Sequence, residues 1–204
     1  MLITDVKKAK KHLIDVEING EIYKIDEEAF IASRLFTGSE ISEAGLAALM
    51  YKSDLIRAKN KALWLLSHRD YSKKEMLGKL KPDFDADAAA EAIELLSECG
   101  MIDDERFARV YANDLVNLKG LSKRGVVMEL IKKGIDRETA AIVAEETAID
   151  ETETIKEIIR VRYYNCLDDE KGKRRMFSGL ARKGYSYNAV KHALEEYLEE
   201  NDVY

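Results

Sequence analysis

Ser122-Lys123-Arg124-Gly125-Val126-Val127-Met128-Glu129-Leu130-Ile131-Lys132-Lys133-Gly134-Ile135-Asp136 reads as one short helix together with its start and its stop. Ser122 is the kind of residue whose hydroxyl satisfies the free amides of a first helical turn. Gly134 sits where the helical pattern ends, the usual place for a left-handed cap, and Asp136 can cap the next helix. Fifty residues later the same punctuation returns, because Lys183-Gly184-Tyr185-Ser186 repeats Lys133-Gly134-Ile135-Asp136. Ser72, Ser122 and Gly172 keep that spacing, and so do Leu80, Leu130 and Leu180. In the earliest copy Lys81-Pro82-Asp83-Phe84 takes the place of the stop, with proline ending the helix instead of glycine. Ser72-x-x-Glu75 is a capping box, which fixes the phase of that copy.

Worked outward, the register predicts three units of three helices each: residues 57–68, 72–81 and 87–99, then 104–118, 122–133 and 136–148, then 150–164, 169–183 and 186–200. The units occupy residues 57–103, 104–149 and 150–204. Before them, Leu13–Ile18 alternates apolar and polar residues, Asn19-Gly20 suits a two-residue turn that needs positive φ, and a second strand-like run follows. Asp26 then caps a helix starting near Glu27, and Ser42 caps another that carries Leu46, Leu49 and Met50. Residues 1–56 therefore read as a small β-hairpin and helix module. The expected fold is mainly α, three tandem three-helix repeats in an elongated, curved arrangement with that module in front. Trp64, on an apolar helical stretch, is expected in the core.

Composition agrees with long helices. Charged residues make up 35% of the 204 and apolar residues 46%, and Pro82 is the single proline. Apolar runs reach only about five residues, too short to span a bilayer. The chain opens without a signal pattern. Cys99 and Cys166 have no metal or redox spacing, so reduced thiols in a cytoplasmic monomer are expected.

The net charge of −6 conceals a pattern. Residues 57–81 hold eight Lys/Arg against two acids, 119–133 hold five against one, and 171–184 hold six against none. The stretches between are acidic. The middle helix of every unit is thus basic, through Lys73, Lys74, Lys79 and Lys81, then Lys123, Arg124, Lys132 and Lys133, then Lys173, Arg174, Arg175, Arg182 and Lys183. Any one such charge suits a solvated helix face. Its threefold recurrence at one place in the repeat points to a surface that meets a polyanion, while the acidic stretches equally suit a basic protein.

Catalytic chemistry finds little to stand on. Asp103-Asp104 and Asp168-Asp169 precede helices, where acids satisfy amides and complement the helix dipole. His12, His68 and His192 are single and far apart, which argues against a metal site. There is no glycine-rich phosphate loop and no nucleophile elbow. The tyrosines, Tyr163-Tyr164 and Tyr185 and Tyr187 among them, suit packing between helices or stacking on bases.

Three stretches carry a family signature. Arg69-Asp70-Tyr71-Ser72-Lys73-Lys74-Glu75-Met76-Leu77-Gly78-Lys79-Leu80 resembles the R-x-x-S-x-x-E-[apolar]-x-x-K-L run of the RecX regulatory proteins. Gly100-Met101-Ile102-Asp103-Asp104-Glu105-Arg106-Phe107-Ala108 is similar to that family's G-[apolar]-[apolar]-D-D-x-R-F-A run, with Tyr111 following. Glu129-Leu130-Ile131-Lys132-Lys133-Gly134-Ile135 resembles its E-L-x-x-K-G-I segment. The resemblance covers residues 57–150 well and the third unit more loosely, since that unit lacks the Asp-Asp-x-Arg-Phe run. It implies a three-repeat helical regulator that binds the RecA recombinase filament on DNA. It further implies inhibition of strand exchange, ATP hydrolysis and co-protease activity, without a cofactor or catalytic residue. The motif residues Arg69, Ser72, Glu75, Asp103, Asp104, Arg106 and Phe107 are expected to cap and pair helices. The basic middle-helix residues are the candidates for the filament and its DNA phosphates. The alternative is a general nucleic-acid-binding helical module or transcription regulator.

Overall fold

The structure, a computed structural model, describes residues 1–10, 12–167 and 169–201. The chain forms two compact units, Met1–Asp103 and Asp104–Tyr204. Among the described residues there are ten α-helices, one three-stranded sheet and one 3-10 turn.

The first unit begins with β1 (Ile3–Lys8), β2 (Leu13–Ile18) and β3 (Glu21–Asp26), antiparallel in that order. The Asn19-Gly20 turn has the positive φ values its composition predicts, 51° and 84°, and sets Ile18 opposite Glu21. The sheet is one strand larger than the expected hairpin. β1 is an edge strand whose end is rich in lysine, which blunts an edge and hides the alternation from a sequence reading. Ile14, Val16 and Ile18 bury the alternate face of β2 against Ile25, Ala29, Phe30, Leu46 and Leu49. Asp26 caps α1 (Glu27–Ser33) by accepting from the Glu28 amide at 2.9 Å.

Ser42 caps α2, which runs unbroken from Glu43 to Leu66. The boundary expected between residues 56 and 57 falls inside this helix. No glycine or proline interrupts residues 46–66, so backbone chemistry offers no stop. Leu46 and Leu49 at one end enter the sheet's core, while Ala58 and Ala62 enter the next core with Met76, Leu80, Ile93 and Leu96. Buried Ser53 accepts the Asp26 amide at 2.8 Å midway between the two. α3 (Lys73–Leu80) and α4 (Ala86–Glu98) complete the unit. Ala58, Ala62, Ala88, Ala89 and Ala92 are all fully buried, small side chains that let α2 and α4 pack closely. Trp64, expected in the core, is 62% exposed. It lies two residues beyond buried Ala62, which is about 200° around the helix and on the opposite face.

The second unit contains α5 (Asp104–Asn117), α6 (Lys123–Lys132) and α7 (Arg137–Glu146), then α8 (Glu151–Arg162), the 3-10 turn Tyr164–Cys166, α9 (Glu170–Arg182) and α10 (Tyr187–Asn201). Two cores follow the two sets of three helices, one around Phe107, Leu115, Val126 and Leu130 and the other around Ile155, Ile159, Met176 and Leu180. The paired stops have one geometry. Gly134 and Gly184 have φ of 94° and 97°, and the amides of Ile135 and Tyr185 return to the carbonyls of Leu130 and Leu180 at 3.1 and 3.2 Å. Gly172 departs from the capping serines because α9 starts earlier, with Asp169 accepting from the Lys171 amide at 3.1 Å. Its neighbour Asp168, read from sequence with it as part of a cap, lies outside the described residues. No described helix is long and apolar enough to cross a membrane.

Candidate polyanion interface

The middle helices α6 and α9 are brought together by a direct joint. The start of α6 docks on the turn between α9 and α10, where the Ser122 amide donates to the Lys183 carbonyl at 3.1 Å and its hydroxyl reaches the same oxygen at 3.3 Å. Ser122 also accepts from the Gly125 amide at 3.1 Å, so one hydroxyl both caps α6 and ties it to the next repeat. Gly125 and Gly184 meet face to face. A Cβ on Gly184 would lie 2.5 Å from the Gly125 amide nitrogen, which no real side chain tolerates. Buried Tyr185 donates its hydroxyl to the Gly120 carbonyl at 3.1 Å, and burial raises its pKa well above the ordinary phenol value.

Beside this joint lies a cleft of about 510 Å³ lined by Arg124, Met128, Glu129 and Lys132 from α6 and by Arg182 and Tyr187 from the α9–α10 side. Tyr187 is 67% exposed and stacks on Phe177 with ring centroids 4.8 Å apart, which holds its outer face toward solvent as a flat platform. Glu129 binds Lys132 at 2.5 Å along the helix. The Arg124 and Arg182 guanidiniums are exposed and form no ion pair among the described residues, so the cleft carries an excess of positive charge.

The other basic residues divide by what they touch. Lys73 reaches Glu94 at 2.9 Å, and fifty residues on Lys123 reaches Glu145 at 2.6 Å, so the first residue of each of these middle helices ties it to the third helix of its own repeat. Lys173, at the same place in the third repeat, turns to Glu170 at 3.7 Å because α9 begins a turn earlier. Lys133 is half-buried with its ammonium 5.3 Å from the Tyr111 ring centre. Lys183 points its ammonium at the Lys119 carbonyl, and burial followed by the nearby Arg162 lowers its pKa. Lys74, Lys79, Lys81, Arg174 and Arg175 are exposed. Lys73, Lys74, Lys79 and Lys81 belong to the first unit and the rest of the set to the second.

The motif residues sit at helix starts and in packing. Ser72 is fully buried and accepts from the Glu75 amide at 3.1 Å, while Arg69 binds Glu75 at 3.1 Å and lies 3.6 Å over the Tyr71 ring. Asp104 opens α5, directly after Asp103, and Phe107 is buried against Tyr111 at 5.5 Å. Arg106 is exposed on the same helix. Sequence reasoning had no means of finding the Gly125–Gly184 contact or Met128, since neither follows from charge or from local spacing.

Comparison with known proteins matches the first two helical repeats. The family model for the first three-helix domain of RecX matches residues 58–96, and that for the second matches residues 103–143. The regulatory protein RecX of Clostridioides difficile (strain 630) is 31% identical over 99% of this chain and 99% of its own. That of Listeria innocua is 29% identical over 100% of this chain and 78% of its own. A crystal structure of regulatory protein RecX superimposes with a TM-score of 0.67 at 20% identity, covering 95% of this chain and 98% of the other. A second, of RecX from Lactobacillus salivarius, gives 0.61 at 24% identity over 71% and 96%; both likenesses concern the fold. With a near full-length relative at this identity and both three-helix domains matched in order, the chain belongs to the RecX family of regulatory proteins.

Proposed function

We propose that this protein is a cytoplasmic, non-catalytic regulator that binds a RecA-type recombinase filament on DNA and inhibits its ATP hydrolysis, strand exchange and co-protease activity. Membership of a family of regulatory proteins supports the reading, and the observation that carries it is the cleft where Arg124 and Arg182 converge beside Tyr187. Such a cleft suits the phosphates of a nucleic acid already coated by protein: two exposed cations supply modest affinity, and contacts of this kind repeated along one filament add through effective concentration. Arg174 and Arg175 on α9 and Lys74, Lys79 and Lys81 at α3 supply further exposed positive charge for the same partner. Lys133 and Lys183 serve packing as well as charge, so the variants that read the interface most cleanly are at the exposed arginines.

The test is the single-stranded-DNA-dependent ATPase of the cognate recombinase with this protein added at substoichiometric amounts. The wild type inhibits. The double variant Arg124→Glu/Arg182→Glu needs at least about tenfold more protein for equal inhibition, a loss of about 1.4 kcal/mol shared by two reversed charges. Undiminished inhibition by the double variant would remove the cleft from the mechanism. The same cleft favours a second reading, a general nucleic-acid-binding module, because an exposed aromatic ring beside guanidiniums also suits a free single strand. That reading expects steeply salt-dependent binding to bare DNA and no effect on the recombinase.

A further inference from the structure

The first unit holds an open cleft of about 1170 Å³ that contains none of the basic middle-helix residues. One wall is α1, which presents Glu27, Glu28 and Ile31, and the other is α2, which presents Lys61 and Trp64, with Phe84 lining the cleft beside Arg57 and Lys61. Ile31 is 66% exposed and Trp64 62%, so two large apolar side chains face water across one cleft. Apolar surface gathered in this way marks interaction sites, and a tryptophan is among the residues that most often dominate them.

Charge narrows the occupant. Arg57 is held by Asp54 at 3.2 Å, and Lys61 is held by Asp83 and by the Lys79 carbonyl at 3.0 Å, with both cations lying over the Phe84 ring at 5.3 and 5.8 Å. These positive charges are satisfied from within. On the α1 wall Glu27 is bound by Lys8 at 2.9 Å, while Glu28 is exposed and forms no ion pair among the described residues. The charge left facing the cleft is negative, which disfavours phosphate and favours a cationic group beside the apolar floor.

From this juxtaposition of Trp64 and Ile31 with Glu28 we infer that the cleft is a protein-docking site, which takes a large apolar side chain flanked by lysine or arginine on the partner. The inference rests on the reading that the partner is the recombinase, and adds to it a protein-to-protein contact whose chemistry is opposite to that of the arginine cleft.

Trp64 is the chain's single tryptophan, so full-length protein labelled with 5-fluorotryptophan gives one fluorine resonance that reports this cleft directly. The resonance shifts or broadens when recombinase filament is added and stays in place with the same DNA alone. The full-chain variant Trp64→Ala/Ile31→Ser then needs at least about tenfold more protein to inhibit the ATPase, with its oligonucleotide affinity unchanged. Glu28→Lys, at an exposed position that keeps the fold, weakens inhibition in the same sense. If the wild type inhibits and Glu28→Lys and the double variant inhibit equally well, the docking site is overturned while the recombinase reading stands. If the wild type neither inhibits nor shows a moved resonance, both fail. A resonance that moves with the protein's own concentration makes the cleft a self-association face and also overturns the inference.

Discussion

Gly38 and Gly184 adopt almost the same left-handed backbone, φ 94° and 97°, in opposite surroundings. A Cβ on Gly38 would meet nothing within 4 Å, whereas on Gly184 it would lie 2.5 Å from the Gly125 nitrogen. Alanine at either site carries a left-handed strain of about 1–2 kcal/mol. Gly184→Ala is therefore expected to lower the melting temperature clearly further than Gly38→Ala, and equal drops would mean that the joint relaxes at no cost. Lys156 makes a second case. It is 5% exposed, and its ammonium meets Glu153, Glu200 at 2.8 Å and Glu196 at 3.4 Å, with the Glu153 bond first and the Glu200 bond next in raising its pKa above the usual lysine value. A base whose folded pKa is raised stabilises the fold fully at pH values below its unfolded pKa, 10.5, and loses that contribution as pH climbs through the folded value. The difference in melting temperature between wild type and Lys156→Met should hold near neutral pH and shrink above pH 10.5. A difference that stays constant would mean the lysine acts only through its packing. The two residues also show what local pattern can carry. Gly184 is legible as a helix stop because that role is decided by its immediate neighbours. Its contact with Gly125, fifty-nine positions away, and the three carboxylates around Lys156 are products of tertiary packing, which spacing along the chain does not encode.

α2 is the element with two attachments. Its early turns bury Leu46 and Leu49 under the sheet and its later turns bury Ala58 and Ala62 among α3 and α4. Proline at an exposed interior position such as Lys59 removes a helical hydrogen bond and crowds the preceding turn, at about 3 kcal/mol or more. Because both cores hang on one helix, Lys59→Pro should raise amide exchange in the Leu46–Leu49 turns as well as around Ala62. Exchange raised only near residue 59 would show that the two halves of the helix hold independently. The middle helices were readable because capping serines and stopping glycines act within a single turn. The union of α2 was not, since the change in charge density near residue 57 resembles a boundary while the backbone continues through it. Trp64 misled for a related reason: an apolar stretch indicates a helix, but the buried face is chosen by the partner helix, here through Ala58 and Ala62.

Each compact unit of the molecule has its own hydrophobic cores, and the single tryptophan belongs to the first. Unfolding in urea followed by Trp64 emission therefore reports Met1–Asp103, while far-ultraviolet dichroism reports the helices of both units. The two midpoints are expected to differ, as they do whenever separate cores unfold without one cooperative transition. Coincident curves would make the chain a single cooperative body. At this scale the fold class was legible, since a fifty-residue register repeated three times leaves few architectures. The distribution of the basic residues between internal ties and open clefts was not, because lysines of like sequence position end on a glutamate, a carbonyl or solvent according to what packs beside them. Gly172 sets a limit on how these repeats can be exchanged. A Cβ there would lie 2.1 Å from the Cys166 carbonyl, whereas Ser72 and Ser122 at the matching positions carry side chains comfortably. A chimera that grafts the α6 sequence into the third repeat must bring its own preceding loop, and one that moves α9 elsewhere must carry residues 163–172 with it. The unit of inheritance in such a chain is the helix together with the turn that feeds it.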